Sequence, residues 1–308
     1  MRPVQSTDVA GAAYTGVDSA SPATTAVRPR RRTTRPKVTD LVYVPDGQLM
    51  QRRSTMKKDT FAPGVPCWID CGTDLTKGPS FYAELFGWEI TGLGEEAGGY
   101  VMATLGDSEV AGFGPQQNPG PPYWNVYFHT DDATKTSELV TSNGGAVLLA
   151  PMQVMEAGTM AVFTDPTGAA FSVWQPGQHA GFGEVNSPGT YCWAELMTTD
   201  LDAAKRFYSS VFGYTTNASD DESMAYVELQ RDGESIGGMM PKPQTAPADM
   251  PPCWGVYFAV EDADATVAKV TQLGGSTAVP PMDIPPGRFA VCTDSLGAVF
   301  NVIALATP

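Results

Sequence analysis

Most of this chain is one pattern written twice. Pro66-Cys-Trp-Ile-Asp70 matches Tyr191-Cys-Trp-Ala-Glu195, and Phe81-Tyr82 with Phe86-Gly87-Trp88 matches Phe207-Tyr208 with Phe212-Gly213-Tyr214. Pro122–Phe128 matches Pro252–Phe258, Gly144-Gly145 matches Gly274-Gly275, and Asp165–Phe171 matches Asp294–Phe300. The offset is 125 at Trp68/Trp193 and 130 at Trp124/Trp254, a drift that small loop insertions explain. Five ordered blocks at nearly one spacing mark an internal duplication. Whatever fold the first copy takes, the second must take as well.

Each copy has an inner rhythm. In the second copy Glu195–Thr198 reads as a short strand, and Asp200 is a helix N-cap. Ala204, Phe207, Tyr208, Val211 and Phe212 follow at helical spacing, and Gly213 stops the helix. Short apolar runs at Tyr226–Leu229 and Ile236–Met240 read as strands. The pattern then restarts with a strand at Trp254–Val260, a cap at Asp262, and a helix through Ala263, Val267 and Val270 ended by Gly274-Gly275. Strands near Thr277–Pro280 and Phe289–Thr293, a turn at Asp294–Gly297 and a last strand at Ala298–Ile303 complete it. The first copy reads the same way with weaker helices, because Gly78-Pro79 stands at a helix start and Thr134–Thr141 is polar. Helices separated by runs of several strands predict an α+β fold: a mixed sheet with helices on one face. The expected divisions are 1–60, a basic disordered extension; 61–177, the first copy; 178–187, a polar, glycine-bearing linker; and 188–308, the second copy.

Composition narrows the function. Of 308 residues 42% are apolar and 17% charged, which suits a buried core. No apolar run approaches the ~18–20 residues of a membrane span, and no secretory h-region opens the chain. A cytoplasmic protein without a membrane partner is the expectation. Residues 1–58 hold 11 Lys/Arg against 4 Asp/Glu, while the remainder holds 8 against 30, balances of +7 and −22. So acidic a folded part argues against nucleic acid, whose phosphates need a positive footprint. The basic run Arg28–Lys37 is a tail or, alternatively, a contact for an acidic partner or nucleic-acid backbone; Met56 is an alternative native start. Five cysteines make no disulfide framework, and Cys67 and Cys71 lack a second Cys/His pair at zinc spacing, so buried strand thiols are expected.

The blocks as a set resemble the vicinal oxygen chelate superfamily, which includes glyoxalase, bleomycin-resistance and extradiol-dioxygenase proteins. They are the first strand followed by Asp-Leu and Phe-Tyr, Phe-Gly after the helix, Gly-Gly after the second helix, and Asp165-Pro-Thr-Gly168 before a closing strand. Phe171–His179, running on to Gly189–Leu196, is similar to two-domain actinobacterial members. The resemblance implies four βαβββ units forming two cupped eight-stranded mixed sheets, with helices on the outer face and ligand and metal in the cup. It also implies His or Glu metal ligands at set places. Here those places hold Cys67/Trp68 and Trp193, Asn125 and Gly255, and Ser172 and Asn301. With two histidines in the chain, the standard divalent-metal site is expected to be absent, although Asp70 and Glu195 remain open as nonstandard ligands.

The candidate site residues follow from strand alternation, which puts every second residue on one face. Asp70 shares a face with Trp68, and Glu195 with Trp193; either carboxylate suits a base or a ligand-orienting group. Asn125, Tyr127 and His129 share a face, with His129 a candidate proton carrier. Tyr127 recurs as Tyr257, and Ser172, Trp174 and Asn301 join the ligand-facing set if the family register holds. His179 falls in the linker. Three readings remain open. One is a small-molecule-binding protein, monomer or homodimer, that sequesters or processes an aromatic or polyketide-like metabolite. Another is a lyase, isomerase or oxygenase using Asp70 or Glu195. The third is a purely structural tandem repeat, which predicts filled cups with no pocket.

Overall fold

The computed structural model describes residues 56–57, 60–117, 119–218, 225–244 and 246–306. The basic run and the first 55 residues lie outside this set. Strand–helix–strands recurs four times. The first unit is β2 (Pro66–Thr73), α1 (Gly78–Phe86), β3 (Glu89–Gly92), β4 (Val101–Leu105) and β5 (Ser108–Pro115). The second is β6 (Tyr123–His129), α2 (Ala133–Ser142), β7 (Ala146–Val154), β8 (Gly158–Thr164) and β9 (Ala170–Pro176). The third is β11 (Tyr191–Thr198), α3 (Leu201–Phe212), β12 (Thr215–Ala218), β13 (Val227–Arg231) and β14 (Glu234–Pro241). The fourth is β15 (Cys253–Ala259), α4 (Ala263–Gln272), β16 (Ser276–Ile284), β17 (Gly287–Thr293) and β18 (Val299–Leu305). Two short strands, β1 (Met56–Lys57) and β10 (Glu184–Val185), pair with each other antiparallel.

The helices form where local chemistry allows them. Asp132, Asp200 and Asp262 each accept a hydrogen bond from a backbone N–H three residues on, which satisfies an otherwise orphaned donor. α1 lacks a side-chain cap at Lys77, but Pro79 lies at its start, where a missing N–H is no loss and a fixed φ is preorganised. The Gly78-Pro79 pair read as a weakness is therefore a start signal. Gly87 and Gly213 end α1 and α3 in the left-handed conformation.

In the first copy the strands pair in the order β3-β4-β5-β2-β6-β9-β8-β7, with β2 parallel to β5 and antiparallel to β6. The second copy repeats this as β12-β13-β14-β11-β15-β18-β17-β16. Pairing thus runs within each copy. The two runs are not separate sheets, however: Cys253 of β15 pairs with Ala170 of β9, and one branched sheet of sixteen strands results.

The helix side is the second departure from expectation. α1 and α3 pack on strands of their own copy, Tyr82 against Phe113 and Trp124 and Tyr208 against Trp254, and each also reaches into the other copy. Tyr82 and Phe86 of α1 meet Phe300 and Phe258, and Tyr208 and Phe212 of α3 meet Phe171 and Phe128. The hydrogen bonds cross in the same sense. Trp124 donates to the Tyr82 hydroxyl at 2.9 Å, and Tyr82 reaches Asp294 of the other copy at 3.2 Å. Trp254 donates to Tyr208 at 2.9 Å, and Tyr208 reaches Asp165 at 3.2 Å. Asp165 and Asp294 also accept backbone N–H bonds that close their own turns.

The linker is not a loose tether. Phe182 and Val185 are buried, and Phe182 stacks on Tyr191 and leans on Trp68. Among the described residues no helix is long and apolar enough to cross a membrane.

Candidate functional site

β2 and β11 place their carboxylates on the face opposite the helices. Cys67, Ile69 and Cys71 go into the core, the cysteines as free, buried thiols, and Trp68 and Asp70 turn the other way. Asp70 is buried and fully engaged. Asn125 donates to Oδ1 at 2.8 Å, and Tyr127 and Tyr100 donate to Oδ2 at 2.8 and 3.4 Å. The Trp68 indole donates to the Tyr100 hydroxyl at 3.0 Å. Burial raises the pKa of Asp70, and its three donors pull it back in part.

The second copy repeats the arrangement with one partner missing. Glu195 is buried and accepts from Tyr257 at 3.1 Å and also from Tyr226. Trp193 donates to Tyr226 at 3.1 Å. The place of Asn125 is taken by Gly255, and Asn301 closes over it, giving its amide to the Val256 carbonyl. Burial pushes Glu195 up from about 4.5 to about 7, and the hydrogen bonds from Tyr257 and Tyr226 pull the other way. The surroundings are apolar: Trp193, Tyr257, Ala259, Phe289 and Ile303 form a cluster of their own, apart from the main core.

Two members of this set were not foreseen from the sequence. Tyr100 and Tyr226 lie before β4 and β13, and each passes over a strand glycine to reach its carboxylate. A Cβ on Gly112 would sit 1.8 Å from the Tyr100 hydroxyl, and one on Gly238 1.8 Å from that of Tyr226. The signal was present: both tyrosines and both glycines recur at an offset of 126.

The remaining candidates divide. Ser172 lies beside Tyr127 and Asn301 beside Tyr257 in strand register. Trp174 lies edge-on to His179 and donates to the His179 carbonyl at 2.8 Å. His129 is not among the groups bonded to Asp70. It lines a crevice of about 450 Å³ with Thr130, Lys135, Phe212 and Arg231, and burial lowers its pKa. Strand alternation failed for it because it is the last residue of β6, where the chain turns toward α2.

The donor set does not suit the superfamily's usual ion. The ligand places hold Trp, Asn, Gly and Ser side chains, and the oxygens of Asp70 already face N–H and O–H donors rather than open space. Among the described residues no three His, Cys, Asp or Glu lie together as a metal group.

A family model described as the glyoxalase/bleomycin resistance protein/dioxygenase superfamily matches residues 71–173 and 190–302. CFP32 of Mycobacterium tuberculosis is 39% identical over 257 residues, covering 80% of this chain and 97% of the relative. The anthracycline biosynthesis protein DnrV of Streptomyces peucetius is 37% identical over 262 residues, covering 80% and 94%. The Mn(II)-bound glyoxalase of Novosphingobium aromaticivorans shares the fold, with a TM-score of 0.56 at 15% identity over 79% of this chain and 83% of that one. Two matched segments, one in each copy of the duplication, make the chain a member of the glyoxalase/bleomycin resistance protein/dioxygenase superfamily.

Proposed function

We propose that this protein binds a small, partly aromatic organic molecule on the faces that carry Asp70 and Glu195, in sequestration or processing of a polyketide-like metabolite. The carrying observation is that each copy sets a buried carboxylate between two tyrosine hydroxyls, backed by an indole. A few fixed polar groups in an aromatic wall are what a small-molecule site uses to orient its ligand. Kinship to a protein named for anthracycline biosynthesis supports a planar polyketide as the class. On this reading the chain comprises two glyoxalase-like domains, 61–177 and 188–308, each curved around its own site and joined through 178–187. Titration with a broad panel of polyketide-like and aromatic compounds, read by tryptophan fluorescence, tests it. Saturable binding is expected; silence across the panel removes the reading.

A second reading is an enzyme, a lyase, isomerase or oxygenase, with Glu195 as general base. Its support is the pKa of Glu195 at about 7, where a base works best near neutral pH. Glu195→Gln should then abolish turnover of a bound compound while leaving its binding in place. Stoichiometric iron, manganese, nickel or zinc in native protein would redirect this reading to a nonstandard metal site.

A further inference from the structure

Among the described residues four strands of the large sheet have a single neighbour: β3, β7, β12 and β16. Three of them are blunted. β3 and β12 are four residues long and mostly polar. β16 has nine residues, but Pro280 and Pro281 within it cannot donate to a new ladder. It also stands in an ionic cluster, where Arg288 of β17 bonds Asp283 at 3.0 Å and Asp264 at 2.9 Å. Short strands, prolines and charges are the devices by which sheet edges avoid pairing with other chains.

β7 stands in the first copy where β16 stands in the second, and the charges are gone. Thr134, Gln153 and Thr159 take the places of Asp264, Asp283 and Arg288. Thr159 bonds Gln153 at 3.1 Å, in the register in which Arg288 faces Asp283. One proline remains, Pro151. No charged residue lies between Leu139 and Met155, nor in the paired β8. Seven large apolar side chains are exposed among the described residues, and four of them are here: Val147, Leu148, Met152 and Met155, with Leu148 61% exposed. Apolar residues scattered singly over a surface need no explanation, but a contiguous group marks a contact.

Charge and number point to the occupant. Residues 59–308 carry a balance of −22, so a basic partner would be drawn to the acidic surface rather than to its uncharged strip. A second copy of the chain is repelled by that surface and meets no like charge on the strip. An antiparallel edge is also self-complementary: laid on itself about a two-fold axis, it offers the same side chains and the same free backbone groups to both sides. Of the four single-neighbour strands this one alone is left open, so pairing closes at two chains instead of growing into a fibre. We propose that β7 is the interface with a second copy of this chain, two β7 strands meeting antiparallel through Val147, Leu148, Met152 and Met155. The proposal is independent of the ligand-binding reading above.

Sedimentation of the full chain over roughly 1–100 µM, a span that resolves modest affinities, is the test. Wild type should reach twice the chain mass and go no further. Leu148→Glu and Met152→Glu should each weaken association by about 100-fold, because the two-fold axis brings the new charges near one another. Both side chains are exposed, so the circular dichroism spectrum should not change. Leu93→Glu makes the same chemical change at an exposed residue outside the strip and should leave the dimer intact. Mixing Leu148→Glu with Leu148→Lys should restore a dimer that neither forms alone, which also shows that both variants fold. A wild type that stays monomeric over the whole range, a dimer that both glutamate variants leave untouched, or species that keep growing with concentration overturns the proposal.

Discussion

Glu195 makes the chemistry of the second copy pH-dependent in a way that stability can report. Its folded-state pKa is raised, by burial first, from about 4.5 to about 7. Below the lower value both states hold the proton and the full contribution is present. As pH rises to the upper value, the unfolded chain releases its proton while the folded chain keeps it, so stability falls; above it, the loss is complete. At ~1.4 kcal/mol per unit, the loss from this group is at most about 3–4 kcal/mol. Glu195→Gln should flatten the wild-type curve between pH 4.5 and 7 in urea titrations; parallel curves would show that Glu195 does not titrate there. A second test concerns Gly112. Its missing Cβ is the space the Tyr100 hydroxyl occupies. Gly112→Ala should displace the tyrosine from Asp70 and cost ~1–3 kcal/mol. In a Tyr100→Ala background the same change should cost much less, and an equal cost in both backgrounds would locate the conflict elsewhere.

At the scale of elements, what holds each helix differs, and the difference was legible in part. The aspartates at 132, 200 and 262 cap as their sequence position suggests, each with its side chain on a backbone N–H. Asp200→Ala should lower stability by about 1 kcal/mol, the usual value of such a cap. Thermal unfolding against wild type would show it, and no change would mean that α3 is fixed by its packing alone. α1 is the contrast. It has no side-chain cap, and Phe81, Tyr82 and Leu85 are buried, with Phe81 and Tyr82 meeting Phe300 of the other copy and Tyr82 also meeting Phe113 and Trp124 of its own. Its periodicity showed that it buries a face. Which partner it meets could not be read, because periodicity describes the helix and not its neighbour.

For the whole molecule, the duplication has a meaning beyond two domains in series. Each copy lends a helix and a tyrosine to the other, in mirrored contacts: Trp124–Tyr82–Asp294 and Trp254–Tyr208–Asp165. Residues 60–187 and 188–306, expressed separately, should each expose an aromatic face and fail to fold, and co-expression should restore a folded pair. Circular dichroism and size exclusion would decide; a cooperatively folding half would show that the crossing contacts are dispensable.

The sequence by itself determined the repeat, the order of strands and helices within each unit, the turns at Asp165 and Asp294, and the faces on which Asp70, Glu195, Tyr127 and Tyr257 lie. Those follow from local propensity and from periods of two and 3.6, which act over a few residues. Only the tertiary structure decided that Tyr100 and Tyr226 complete the carboxylate sites, that His129 leaves the group and His179 enters the face, and that the copies interlock. Each of these is a meeting of side chains from distant segments, set by how sheets pack and loops cross. Spacing along the chain carries no direct record of it.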